Sequence, residues 1–263
     1  MQTFQKLFPP NTASIDTVKA GLQLPRVTRQ TALFLDFDGT LVDIAPEPDQ
    51  VAVPVGLTDL LGRLSIYLEG ALAIVSGREI AALDRYLEPL QLPIAAQHGA
   101  SHRDAQGKVT HVAAPGLRDI RRVALALANE HAGLRVEIKS AAIALHYRQA
   151  PQLEELCLLT MAEAVKRTPD VEIIHGKCVF EVKPASVSKG RAIQTFMAQA
   201  PFSGRVAVFA GDDTTDESGF PVVSAMGGEC IKVGAGDSLA QYRCASPAAL
   251  RRWLLSCVEQ STA

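Results

Sequence analysis

The chain alternates apolar runs with polar breaks in a way that predicts its elements. Thr31 to Leu35 is a short apolar run that stops at Asp36-Phe37-Asp38-Gly39-Thr40, the pattern of a buried strand whose C-terminal end opens into a polar turn. A helix is predicted over Thr58 to Leu68. A second apolar strand, Ala71 to Val75, ends in Ser76-Gly77-Arg78, and a helix follows over about Glu79 to Leu87. Strand and helix in alternation predict an α/β fold, a parallel sheet with helices on its faces. The same grammar returns late. Arg205 to Ala210 runs into Gly211-Asp212-Asp213-Thr214-Thr215-Asp216-Glu217 and a short helix, Cys230 to Val233 reads as a strand, and Pro247 to Val258 as a closing helix with proline in its first turn.

Between these stretches the rhythm changes. Helices are predicted at Pro115 to Glu130 and Pro151 to Arg167, and strand pairs at Leu134 to Lys139 with Ala142 to Arg148 and at Val171 to His175 with Val179 to Lys183. Strands paired through tight turns predict an antiparallel sheet backed by the two helices. The expectation is therefore an α+β domain over 113–184 inserted into a core formed by 1–112 and 185–263.

Composition narrows the function. With 263 residues, 48% of them apolar, the chain can bury two modest cores. The net charge is −2 and the 26 basic residues are scattered, which argues against nucleic acid as a partner. Cys157, Cys178, Cys230, Cys244 and Cys257 are odd in number and form no C-x-x-C pair, so reduced thiols in a cytoplasm are expected. The N-terminal stretch has no apolar h-region and no run approaches a membrane span, which predicts a soluble, unexported protein with no membrane partner.

Three apolar strands end in polar clusters: Asp36 with Asp38, Ser76, and Asp212 with Asp213. In open parallel sheets, ligands sit beyond the carboxyl ends of the strands, so neighbouring strands bring these clusters together. Crowded carboxylates need a cation, and an all-oxygen set selects a hard ion such as Mg²⁺, which can also bind a phosphate oxygen. That combination is a phosphoryl-transfer site. Asp36, at the strand end and facing the cation, is expected to be the nucleophile. Asp38, beyond the bend, is expected to be the general acid/base. Ser76 and Lys189, the latter in Ser188-Lys189-Gly190 before a helix predicted over Arg191 to Ala198, are expected to hold the phosphoryl oxygens. An EF-hand reading of the first acidic pair fails because Leu41 stands where the turn needs glycine.

Asp36 to Val42 (DFDGTLV), Val75 to Arg78 (VSGR), Ser188 to Gly190 (SKG) and Gly211 to Glu217 (GDDTTDE) resemble, in order, the motifs of the haloacid dehalogenase superfamily of phosphatases. The resemblance extends to the trehalose-6-phosphate phosphatase family. Gly211 to Glu217 is similar to that family's GDDxTDE, and Gln97-His98-Gly99-Ala100 to its EHGA, with Gln97 standing where the family has Glu. Val136 to Lys139 with Leu145 to Arg148, and Gly176-Lys177 with Glu181 to Pro184, resemble its cap strands.

This resemblance implies a Rossmann-like core, a mobile α+β cap and hydrolysis of trehalose 6-phosphate. It implies Mg²⁺ on the Asp36 carboxylate, the Asp38 backbone carbonyl and Asp212, with Asp213 or Asp216 behind them. It further implies substrate contacts from Asp36, Phe37, Asp38, Gly39, Arg78 and His98, and from Glu137, Lys139, His146, Lys177 and Glu181 in the cap. The rival readings are a capped phosphatase of another sugar phosphate, of sucrose or mannosyl type, and a catalytically silent sensor of the same fold. A local role as cap or ion-pair partner is an alternative for Arg78, and a structural role for His98.

Overall fold

The computed structural model describes residues 23–45, 50–112, 117–139, 141–176 and 178–259. Two sheets organise them. The larger has eight strands in the order β12-β11-β10-β1-β2-β3-β4-β5. These are β1 (Thr31–Leu35), β2 (Leu72–Val75), β3 (Ile94–Ala96), β4 (Ser101–Arg103), β5 (Val109–His111), β10 (Val206–Gly211), β11 (Glu229–Val233) and β12 (Tyr242–Cys244). From β12 to β3 every pairing is parallel, and β4 and β5 extend the sheet antiparallel. β1 and β2 are buried along their whole length, as continuous apolar runs in a helix-covered parallel sheet should be.

The helices supply the covering layers. α1 (Leu57–Tyr67) buries Leu57, Leu60, Leu61 and Leu64, and α2 (Ile80–Leu87) buries Leu83 and Leu87. The i, i+3, i+4 spacing puts these leucines on one stripe. α5 (Lys189–Met197) buries Ile193 and Phe196. Phe196 meets Phe34 of β1 and Phe202, with ring centroids 5.9 and 4.9 Å apart. Each such buried aromatic contributes roughly 1.5–3 kcal/mol through area removed from water. α6 (Thr214–Glu217) and α7 (Phe220–Ala225) follow β10, and α8 (Pro247–Glu259) packs on α1 with Leu250, Leu254 and Val258 buried.

The smaller sheet is antiparallel, order β6-β7-β9-β8, from β6 (Arg135–Ile138), β7 (Ile143–His146), β8 (Val171–Gly176) and β9 (Val179–Pro184). Alternation along its strands separates two faces. Ile143, Leu145, Phe180 and Val182 pack on α3 (Leu117–Glu130) and α4 (Glu154–Lys166) in a hydrophobic cluster of their own. The cross-strand register Glu137–Ala144–Glu181 marks the opposite, polar face.

The expected strands and helices appear within one or two residues where they are described, with three differences. β3, β4, β5 and β12, three residues each, escaped the periodic reading because so short a run carries no pattern. The Pro151 to Arg167 helix opens with a 3-10 turn, Pro151–Leu153. α5 begins at Lys189 rather than Arg191, because Ser188 caps it by accepting the Arg191 N–H at 3.2 Å. No described helix is long and apolar enough to cross a membrane.

Candidate active site

Parallel registration sets the site. Leu35 pairs with both Ala210 and Ile74, so β1, β10 and β2 end at one level and deliver Asp36, Asp212 and Ser76 together. Oxygens of Asp36, Asp212 and Asp216 lie within 4.8 Å of one another, a cluster that could hold a metal ion. Close packing makes two glycines necessary here. A Cβ on Gly39 would lie 2.1 Å from Asp212 Oδ2, and one on Gly211 would lie 2.1 Å from Asp216 Cγ.

Gly211 to Glu217 is folded as a capping box. Asp213 caps α6, accepting the backbone N–H groups of Thr215 and Asp216 at 2.9 and 3.1 Å. Asp216 in return accepts the N–H of Asp212 and of Asp213 on Oδ2, at 3.0 and 3.1 Å. Its Oδ1 receives Lys189 Nζ at 2.8 Å, and the same ammonium donates to Asp36 Oδ1 at 2.8 Å. Both Asp216 oxygens are thus engaged by protein donors, which suits it to organising the loop and leaves Asp36 and Asp212 as the carboxylates better placed for a cation.

The electrostatics follow from burial and crowding. Burial, offset in part by Lys189 and reinforced by Asp213 and Asp212, pushes the Asp36 carboxyl up to about 7. Burial, with the charges of Asp216 and Asp213, raises Asp212 to about 6. Asp216 is raised well above the carboxylate range by burial and then by Asp36. Burial opposes the Lys189 charge, but Asp36 and Asp216 outweigh it and hold the ammonium protonated. Asp213 goes the other way: burial is overcome by Lys189 and by hydrogen bonds from Asp216 and Thr215, so it stays ionised. Crowded acids with raised proton affinity fit a divalent cation, which would relieve their repulsion.

Beside this cluster, Ser76 is buried and its Oγ accepts the Arg78 N–H at 3.1 Å, leaving its own proton to donate. Arg78 forks onto Asp38, with Nε 2.6 Å from Oδ2 and Nη2 2.8 Å from Oδ1. The local ion-pair alternative for Arg78 is therefore realised in this conformation. Phe37 points away from the site and stacks on Tyr86 at 5.7 Å, so only its backbone can serve the substrate. Gln97 and His98 both have positive φ, 50° and 58°. Gln97 accepts from Ser101 Oγ at 3.1 Å and donates to Glu79 at 3.3 Å, so an amide does at this position what the usual glutamate could not. His98 is held against Gly77, where a Cβ would lie 2.7 Å from its Cε1. Its buried Nδ1 makes no hydrogen bond, and burial, followed by Lys189, lowers its pKa to about 4.

Asp36, Asp38, Ser76, Arg78, Lys189 and Asp213, with Gln97 and His98, line a cavity of about 640 Å³ that also reaches Glu137 and Lys139 on the polar face of the smaller sheet. Those two are held from behind, Glu137 by His146 at 3.0 Å and Lys139 by Glu181 at 2.5 Å. Lys177 lies outside the described residues. Three residues not singled out from the sequence also belong here. Glu79 and Arg85 line the cavity, and Lys232, a lone charge inside the apolar run of β11, donates to the Asp212 backbone carbonyl. That interruption of an apolar strand was the available signal for Lys232.

A sequence model of the trehalose-phosphatase family matches residues 34–247. The chain is 43% identical over 235 residues to the trehalose-6-phosphate phosphatase of Escherichia coli, covering 88% of each chain. It is 45% identical over 206 residues to a probable trehalose-phosphate phosphatase of Sinorhizobium fredii, covering 77% of each. Among solved structures, a trehalose-6-phosphate phosphatase related protein superposes with a TM-score of 0.69 at 27% identity, over 88% of this chain and 98% of that one. A haloacid dehalogenase-like hydrolase from B. subtilis, at 13% identity and a TM-score of 0.66, shares the fold over 86% of this chain and 99% of its own. With the family match spanning the strand-end motifs and the inserted sheet alike, this chain belongs to the trehalose-phosphatase family.

Proposed function

We propose that the chain hydrolyses trehalose 6-phosphate to trehalose and phosphate through an aspartyl-phosphate on Asp36, with Mg²⁺ as its cation. The observation that carries this reading is that the Asp36–Lys189 pair lines one cavity together with Glu137 and Lys139. It joins a phosphoryl-transfer centre to donors and acceptors suited to sugar hydroxyls. The activities named for the E. coli and S. fredii relatives support the choice of substrate.

The Asp36 and Asp212 carboxylates and the Asp38 backbone carbonyl would hold Mg²⁺, a donor set of oxygens alone that suits a hard ion. When bound, it neutralises charge on the phosphoryl oxygens. Asp36 attacks phosphorus, the bond to the sugar oxygen breaks, and Asp38 gives that oxygen its proton. Asp38 then takes a proton from water as the water attacks phosphorus, and the Asp36–phosphorus bond breaks to release phosphate. The Ser76 hydroxyl, the Lys189 ammonium and the backbone at Phe37 and Gly39 hold the phosphoryl oxygens. Asp213 and Asp216 fix the loop that carries Asp212. Glu137, Lys139 and Lys177, with His146 and Glu181 behind them and His98 opposite, bind the disaccharide.

Residues 113–184 act as a cap over a core of 1–112 and 185–263, and closure excludes bulk water while the acyl-phosphate exists. Five cysteines without a disulfide fit a reducing cytoplasm. A panel of phosphate esters, trehalose, sucrose, mannosyl and glucose phosphates, assayed for phosphate release with Mg²⁺, tests the reading. Fastest release from trehalose 6-phosphate is expected, and equal or faster release from another member contradicts it.

A further inference from the structure

Lys232 is a buried cation that the steps above do not use. Its side chain is 7% exposed, in a strand whose neighbours Cys230, Ile231 and Val233 are all buried. A lysine is almost never sequestered in this way unless its ammonium is paired. Lys232 stands in register with Gly211, the residue before the acidic pair, and its Nζ donates to the Asp212 backbone carbonyl. Glu217 Oε1 lies 3.8 Å from the same nitrogen and makes no hydrogen bond, while Glu217 Oε2 accepts the Leu239 N–H at 2.9 Å.

Residue 212 is therefore held at three points. Its N–H is taken by Asp216 Oδ2 at 3.0 Å, its carbonyl by Lys232, and its Oδ1 by the Thr40 hydroxyl at 3.2 Å. The first and third ties come from motif residues. The second comes from a different strand.

We propose that Lys232 is a positioning residue for the cation site, fixing the peptide of Asp212 so that its carboxylate meets the ion, with Glu217 steering the ammonium. This rests on the reading that Asp36 and Asp212 hold the cation. As a point charge, Lys232 repels a divalent ion, so removing it would tighten binding. As a positioning group it favours binding, so removing it weakens binding.

Mn²⁺ binding, followed by titration calorimetry on the full chain with no substrate present, separates the two for the parent and for Lys232→Met, which keeps the stem and deletes the donor. We expect Mn²⁺ to bind Lys232→Met at least tenfold more weakly at unchanged stoichiometry, with turnover largely recovered at saturating Mg²⁺. A merely structural loss would reduce the number of sites rather than their affinity. Unchanged or tighter binding, or fewer sites of parental affinity, overturns the proposal. If Lys232→Met does not fold, Glu217→Gln takes its place: about threefold weaker binding is expected, and parental affinity overturns the proposal. A parent that binds no Mn²⁺, or an Asp212→Asn variant that binds it as the parent does, removes the cation reading and this inference with it. Parental binding lost in Asp212→Asn but intact in Lys232→Met removes this inference alone.

Discussion

Arg78 clamps Asp38 through both carboxylate oxygens, at 2.6 and 2.8 Å, while its guanidinium carbon lies 5.2 Å from the ring centroid of Tyr86 and 5.9 Å from that of Phe37. A planar fork stacked on aromatic faces is a geometry that lysine cannot reproduce. Each Asp38 oxygen accepts one bond of the fork and keeps a second lone pair outside it, so the clamp orients the carboxylate without closing it to a proton. The clamp therefore holds the Asp38 carboxylate in a defined orientation, which under the proposed mechanism is the rest position of the acid/base.

Arg78→Ala is expected to lower kcat by about 10- to 100-fold, the scale of one charge-assisted hydrogen bond. Arg78→Lys should recover only part of that, and Asp38→Asn should lose roughly 10²–10⁴-fold, the scale of general acid–base catalysis. Steady-state kinetics on the three variants checks the order. Full activity in Arg78→Lys would show that charge alone suffices.

Lys189 is the counter-ion of two buried carboxylates. Lys189→Met leaves Asp36 and Asp216 facing each other unpaired, and a loss of about 3 kcal/mol is expected at pH 8 in a chelator. Carboxyls with raised folded-state pKa values contribute stability that is fully present below their ordinary value and lost as pH rises through the folded value. The deficit should therefore shrink toward pH 5, as Asp36 and Asp216 take up protons. Urea denaturation at pH 5 and pH 8 measures it, and a deficit independent of pH would contradict the pairing.

The same sign governs the cation. In the ion-free protein, Asp36 and Asp212 hold protons up to about 7 and about 6, so an incoming ion must displace them. Mg²⁺ affinity should rise with pH until just above 7, with proton release near pH 6, and Mg²⁺ should raise Tm more at pH 8 than at pH 5.5. Calorimetry in buffers of different ionisation enthalpy checks the released protons. Affinity that falls with rising pH would place the ion elsewhere.

The sugar contacts proposed for Glu137 and Lys139 predict a division between sugar and phosphate recognition. Lys139→Ala and Glu137→Gln should raise KM for trehalose 6-phosphate about tenfold or more, and leave hydrolysis of p-nitrophenyl phosphate within about twofold, since each removes a hydrogen-bond partner of the sugar alone. Equal losses on both substrates would mean that these residues act on the chemistry.

Much of this site is legible in the sequence because strand ends are. An apolar run that stops at Asp36, Ser76 or Asp212 announces both a strand and the residue at its tip, and the parallel register then brings the tips together. What stays hidden depends on pairings far apart in the chain. The Arg78 fork spans 40 positions and the Lys189 bridge to Asp36 spans 153, and no local pattern distinguishes either side chain from an ordinary surface charge. Asp216 reads as one more acid in a motif until the capping box shows both of its oxygens already taken. Strands as short as β3 and β12 exist because longer neighbours template them, so their own residues carry little signal.

In the proposed mechanism the phosphoryl group is transferred to Asp36. Trehalose 6-phosphate carrying ³²P, mixed with the protein and Mg²⁺ and quenched in acid within a turnover, tests it directly. The label is expected on the peptide containing Asp36, removable by hydroxylamine as an acyl-phosphate, and absent in Asp36→Asn, which should not turn over. An unlabelled protein that still releases phosphate, together with near-normal turnover by Asp36→Asn, would contradict the account.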